Sequence, residues 1–138
     1  MGSLNAYAQT DMSWYGNYFA HNNQRNALFS QFRLPETRIE FVNNLCYNWG
    51  MFGNVYGYGD DTNFRVNILN NRAKKGPNTS KIRYFFSVPT RSKNRNHQFY
   101  VQGNITDKRP RESDPEWSAI ADWSSNEEAD QEFRVEKP

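Results

Sequence analysis

The chain of 138 residues has one cysteine, Cys46. A single thiol excludes an internal disulfide framework. Long apolar runs are missing as well. The mean hydropathy is −1.00, and no stretch approaches the roughly 18–20 apolar residues that a membrane helix needs. Met1 to Thr10 has neither a basic start nor an apolar centre, so no secretory leader is read there. The expected location is therefore cytoplasmic, or the interior of a host cell for a viral protein. Metal-ligand spacing is absent too: His21 and His97 lie far apart and Cys46 stands alone. No glycine loop carries the Lys and Ser/Thr of a phosphate cradle. Tyr58-Gly59-Asp60-Asp61 has the letters of a polymerase metal hairpin, but such an enzyme needs several domains and the motif reads as a turn. These absences lead to the expectation of a protein that is not an enzyme, with no metal and no cofactor.

What is present is aromatic and unevenly charged. Aromatic residues make up 16% of the chain and all hydrophobic residues only 36%. Large rings must then supply much of the buried area, at about 150–250 Å² each. Trp14, Trp49, Trp117 and Trp123 are expected in the core or at docking contacts. From Thr62 to Arg111 the chain holds twelve basic residues and one acid, Asp107; from Glu112 to Pro138 it holds nine acids and two bases. A basic middle of this kind attracts polyanions, and an acidic tail competes for the same surface or recruits a protein partner.

The length suits one domain. Residues 1–36 read as an aromatic, polar arm with a short helix over 20–34, closed by Pro35. Residues 37–123 read as the β domain, with the core at 37–106, and 124–138 as a disordered acidic tail. Ile39 to Tyr47 is read as one strand. Phe64, Val66 and Ile68 alternate with polar residues, as do Ile82, Tyr84, Phe86 and Val88, and then Phe99 and Val101 onward to Ile105. Asn70 to Ser80 and Thr90 to His97 read as basic loops. Asp114-Pro115-Glu116 starts a helix that carries Trp117. No internal repeat is read. The fold class expected is mainly β: a small OB-like barrel with short flanking helices and the acidic tail.

Period-two alternation puts successive side chains on opposite faces. With Phe64, Val66, Ile68, Ile82, Tyr84, Phe86, Phe99 and Val101 inward, the outward set holds Arg65, Lys81, Arg83, Phe85 and Tyr100. Cations meet phosphates and rings stack on bases, which is what a single-strand site needs. The two basic loops add Arg72, Lys74 and Lys75, then Arg91, Lys93 and Arg95; Lys108, Arg109 and Arg111 follow the last strand.

Short pieces of the chain resemble bacterial-type single-stranded DNA-binding proteins. Ile39-Glu40-Phe41-Val42-Asn43-Asn44-Leu45 is similar to their first strand, Phe64 to Asn70 to a later core strand, and Phe99-Tyr100-Val101-Gln102-Gly103-Asn104-Ile105 to a Val-Tyr-Ile-Glu-Gly-x-Leu strand. The resemblance implies an OB-fold, a Greek-key barrel that binds oligonucleotides, commonly in oligomers. The expected function is non-catalytic binding of single-stranded nucleic acid, DNA before RNA, with self-association and no membrane partner. The alternative is a structural or assembly protein, such as a small viral virion or connector subunit. A carbohydrate-binding β-sandwich that uses exposed aromatics ranks below both, because no export signal is read.

Overall fold

The computed structural model describes residues 2–7, 9–31, 34–51, 53–56, 62–79, 84–88, 96–122, 128–129 and 134–136. Among the described residues twelve strands follow one another: β1 (Leu4–Ala6), β2 (Asp11–Tyr15), β3 (Tyr18–Ala20), β4 (Leu28–Ser30), β5 (Glu36–Val42), β6 (Leu45–Tyr47), β7 (Asn54–Tyr56), β8 (Asn63–Leu69), β9 (Arg72–Lys74), β10 (Phe86–Val88), β11 (Gln98–Gln102) and β12 (Ile120–Asp122). They form three sheets. The first has the order β1-β4-β7-β10-β12, the second β11-β8-β5-β2 and the third β3-β6-β9. The chain visits the sheets in rotation, and the strands pair in parallel. The architecture is a three-sided parallel β-helix, in which each turn of chain is one coil and neighbouring coils share a core.

The protein is thus mainly β, as the sequence indicates, but the OB-like barrel is corrected. An OB barrel is built from antiparallel Greek-key strands, whereas each strand here pairs with a strand one coil away in the same direction. The reading of no internal repeat is corrected with it. Register relates Asp11 to Arg38 to Arg65, and Tyr18 to Leu45 to Arg72. The hydrogen-bonded rungs described below lie 27, 27 and 33 residues apart.

The bend from the second sheet to the third is the same in each coil. It passes through Gly16-Asn17, Asn43-Asn44 and Asn70-Asn71, and Gly103-Asn104 repeats it after β11. The first residue of each pair has positive φ: 67°, 55°, 53° and 68°. Glycine and asparagine are the residues that adopt this conformation at least cost. It turns the chain so that the following asparagine points inward. Asn17 donates from its backbone N and from Nδ2 to Asn44 Oδ1, both at 2.9 Å. Asn44 donates in the same way to Asn71 Oδ1 at 2.8 and 3.0 Å, and Asn71 to Asn104 Oδ1 at 3.0 and 2.8 Å. The amides also reach strand carbonyls: Asn44 Nδ2 to Trp14 O, Asn71 Nδ2 to Phe41 O and Asn104 Nδ2 to Ile68 O. A buried bend with unpaired backbone groups would be costly, and the stacked amides satisfy it coil after coil.

Between the sheets the core is stacked in columns. Met12, Ile39, Val66 and Phe99 form one, and Trp14, Phe41, Ile68 and Val101 another. Phe19, Cys46 and Ala73 form a third along β3-β6-β9. Phe29 and Phe86 meet these from the first sheet, with Phe86 edge-on to Phe41 and Phe29 edge-on to Trp14. Trp49 and Trp117 are buried and Trp14 partly so, while Trp123 lies outside the described residues.

Several local expectations change for one reason, the tight rotation between sheets. Residues 1–36 contribute four whole strands and the start of β5. The helix expected over 20–34 is replaced by the end of β3, a connection and β4. The continuous strand 39–47 is broken by the Asn43-Asn44 bend into β5 and β6, and the strand from Phe99 ends at Gln102 because Gly103 bends. The loop 70–80 contains β9. The helix expected from Asp114 is a single 3-10 turn, Glu116–Ala119, with no side-chain cap, and it leads straight into β12. Among the described residues this is the only helical element. In the segment expected to be a disordered tail, Ala129 donates to Ile120 O and Val135 to Phe99 O, both at 3.1 Å.

Candidate functional site

The outer face of β2-β5-β8-β11 carries rows of side chains aligned by register. One row is Asp11, Arg38, Arg65 and Gln98; the next is Ser13, Glu40, Asn67 and Tyr100. Neighbouring members of a row sit one strand spacing apart, about 4.8 Å. A cleft of about 560 Å³ opens over this face, and its lining includes Asp11, Ser13, Glu36, Arg38, Glu40 and Arg65. The alternation of each strand creates the face: β8 buries Phe64, Val66 and Ile68 and leaves Asn63, Arg65, Asn67 and Leu69 at the surface.

The charges here are organised around Glu36. Its Oε1 lies 3.4 Å from Arg38 Nε and its Oε2 lies 3.0 Å from Arg65 Nε. Arg38 also reaches Asp11 at 3.5 Å, and Arg65 donates to Asn96 O. Ser13 Oγ donates to Glu40 Oε2 at 3.0 Å. Two guanidinium groups therefore stand side by side on an open surface, held by exposed or half-exposed carboxylates. The Arg38–Asp11 pair is well exposed and therefore weak, whereas Arg65 and Glu36 are 27% and 34% exposed and hold each other more firmly.

Of the described side chains expected to contact nucleic acid, only Arg65 and Tyr100 lie on this face. Tyr100 is half-buried and its hydroxyl donates to Gln102 Oε1 at 2.7 Å. Phe85, expected outward, is buried: its ring packs 4.9 Å from Trp49 and 4.8 Å from Phe86. The first sheet is covered on both sides at β10, so alternation there no longer marks a solvent face. Arg109 is also buried. Its Nε donates to Asp114 O at 3.0 Å and its Nη2 to Glu112 O at 2.7 Å, and it pairs with Glu116 at 2.8 Å. Glu116 in turn accepts from Gly103 N at 2.9 Å. Arg109 is thus a bolt between the last bend and the 3-10 turn rather than a surface cation. Arg72 and Lys74 are exposed on β9, Lys75 pairs with Asp107 at 2.6 Å, Lys108 lies 4.9 Å over the Tyr84 ring and Arg111 pairs with Asp114 at 2.9 Å. Lys81, Arg83, Arg91, Lys93 and Arg95 lie outside the described residues.

Sequence reasoning missed Asp11, Glu36, Arg38 and Glu40. The signal that could have found them was the 27-residue spacing, which aligns Asp11, Arg38 and Arg65 as it aligns the rung asparagines. Cys46 is a core side chain whose thiol is pushed up by burial, which suppresses the reactive thiolate. Among the described residues no cluster of three or more His, Cys, Asp or Glu has the arrangement of a metal site.

No family model matches the chain, and no solved structure gives a significant match. A probable pectate lyase C of Aspergillus flavus is 33% identical over 109 residues, which cover 76% of this chain and 23% of the relative. The chain therefore spans about a quarter of the length of the curated relative it matches. That relative is named as an enzyme, which overturns the expectation that the chain is no part of one.

Proposed function

We propose that the chain is part of a polysaccharide-lyase β-helix, and that the outer face of β2-β5-β8-β11 receives an acidic polysaccharide of the pectate type. The observation that supports this reading is the stacked pair Arg38 and Arg65 beside the 560 Å³ cleft, in a chain one-third identical to a pectate lyase. A uronate polymer carries one carboxylate on each sugar. Two guanidiniums on neighbouring strands can each fork onto such a carboxylate, replacing the single Glu36 that both now share.

Lyase chemistry gives this neutralisation a second use. In an elimination, a base takes the proton beside the carboxylate, and the C–H electrons become the new double bond. The glycosidic C–O electrons leave with the departing sugar oxygen, which takes up a proton. The proton next to a carboxylate anion is hard to remove, because charge builds on that group in the transition state. Fixed cations at the carboxylate stabilise the charge as it develops. Arg38 and Arg65 would act in this way, by binding and by charge stabilisation.

The test is electrophoresis through gels containing polygalacturonate, a neutral glucan or single-stranded DNA, together with ultraviolet detection of unsaturated products. Retardation by polygalacturonate alone is expected, and Arg38→Gln with Arg65→Gln should weaken it strongly and remove the unsaturated products. Retardation by DNA alone would replace this reading with the nucleic-acid one.

A further inference from the structure

A second face of the coil stack carries cations without the carboxylates that partner Arg38 and Arg65 on the cleft face. The outward side chains of β3-β6-β9 stand in two rows. Tyr18, Leu45 and Arg72 form one, and Ala20, Tyr47 and Lys74 the other. No carboxylate belongs to either row, whereas the cleft face has Asp11, Glu36 and Glu40. Tyr18 is 63% exposed and Leu45 44%, and Tyr15, 70% exposed, lies just across the Gly16-Asn17 bend. Solvated apolar side chains gathered beside cations are more specific than scattered ones, since patches of this kind mark interaction surfaces.

The cations are placed for use. Arg72 is steadied by donating from Nη1 to Gly103 O at 2.8 Å. Its acidic neighbour is Glu112, at 3.4 Å, and Glu112 is 81% exposed, so water screens the pair. Lys74 makes no ion pair among the described residues. Tyr47 is held edge-on to His21, at 5.4 Å between ring centres. Tyr18 and Tyr47 lie on the neighbouring strands β3 and β6, and Arg72 and Lys74 lie two residues apart on the same face of β9, one strand spacing of about 4.8 Å beyond β6. A polymer with apolar ring faces and a regular anionic group matches that pattern: its sugar C–H faces cover tyrosine rings while its carboxylates meet Arg72 and Lys74.

We propose that the outer face of β3-β6-β9 is an anchoring track for an acidic polysaccharide, separate from the cleft on β2-β5-β8-β11, with Tyr18, Tyr47, Arg72 and Lys74 as its contacts. The class of ligand rests on the acidic-polysaccharide reading; the existence of the track rests on the charge and exposure of this face. Charge complementarity selects the occupant, because the two rows carry the cations Arg72 and Lys74 and no carboxylate, and Glu112 beside Arg72 is solvated.

The experiment compares three proteins by electrophoresis in polygalacturonate gels: the unaltered chain, Tyr18→Ser with Lys74→Gln, and Arg38→Gln with Arg65→Gln. All four residues are at the surface, and thermal melting confirms that each variant is folded. The track predicts that Tyr18→Ser with Lys74→Gln weakens polymer binding about tenfold, roughly the contribution of one charge-assisted contact. The cleft variant should retain this remainder. Unchanged binding by Tyr18→Ser with Lys74→Gln, with loss in the cleft variant, overturns the track and leaves the cleft reading intact. No retardation of the unaltered chain by polygalacturonate overturns both. Retardation by single-stranded DNA that disappears in Tyr18→Ser with Lys74→Gln overturns the polysaccharide assignment of this face.

Discussion

The corner joining the second sheet to the third and the other two corners of the coil solve the same problem in different ways. The first is two residues long in each coil, with a left-handed residue followed by an inward asparagine. The others vary. From a third-sheet strand to the next first-sheet strand the intervening sequence is 7, 6 and 11 residues, and from a first-sheet strand to the next second-sheet strand it is 4, 5, 6 and 9 residues. The last coil is longer, with its rungs 33 residues apart instead of 27, yet its ladder bonds are no longer than those of the earlier coils. The extra residues are taken up entirely at the variable corners. One corner sets the pitch, and the other two are free to carry function.

An insertion tests this division most severely. Three glycines between Asn70 and Asn71 would pull Asn71 out of the ladder and strand donors on Asn44, and we expect no cooperative thermal transition. Asn71→Ala is gentler. Asn44 N and Nδ2 lose their acceptor and Phe41 O loses a donor. Unsatisfied buried groups cost about 1–3 kcal/mol each, so urea titration should show a loss of about 3–5 kcal/mol. Gly103→Ala should lose about 1–2 kcal/mol from its left-handed backbone and somewhat more from crowding, since a Cβ there meets Asn70 Oδ1. The same three glycines placed after Pro77, in an exposed turn of the variable corner, should cost less than about 1 kcal/mol, because loop entropy rises slowly with length. Equal losses from the two insertions would erase the distinction between the corners.

The sequence made one layer of this legible. The alternation in Phe64-Arg65-Val66-Asn67-Ile68 and in Phe99-Tyr100-Val101 correctly separates inner from outer side chains, because β8 and β11 have one covered face. It misleads at Phe85, beside a strand covered on both sides. Direction of pairing was hidden, since a strand carries the same alternation whether its neighbour runs with it or against it. The repeat was hidden because columns keep position rather than identity: Phe19, Cys46 and Ala73 share a column with little in common. The asparagines at 17, 44 and 71 are the exception, since only a short carboxamide can both accept and donate along the axis. Once that spacing is seen, Arg38 falls beside Arg65 and the cleft can be drawn from the letters alone.

The asparagine series also has a direction. Asn44 and Asn71 each receive on the carboxamide oxygen from the asparagine of the preceding coil and donate from Nδ2 both to the next asparagine and back to a strand carbonyl of the preceding coil. Asn17 Oδ1, at the start of the series, has no donor among the described residues. The stack is therefore polarised like a row of magnets laid head to tail. A coil placed ahead of Asn17 must arrive donor first. The same amides that fix the spacing of coils within one chain thus give the ladder two unlike ends.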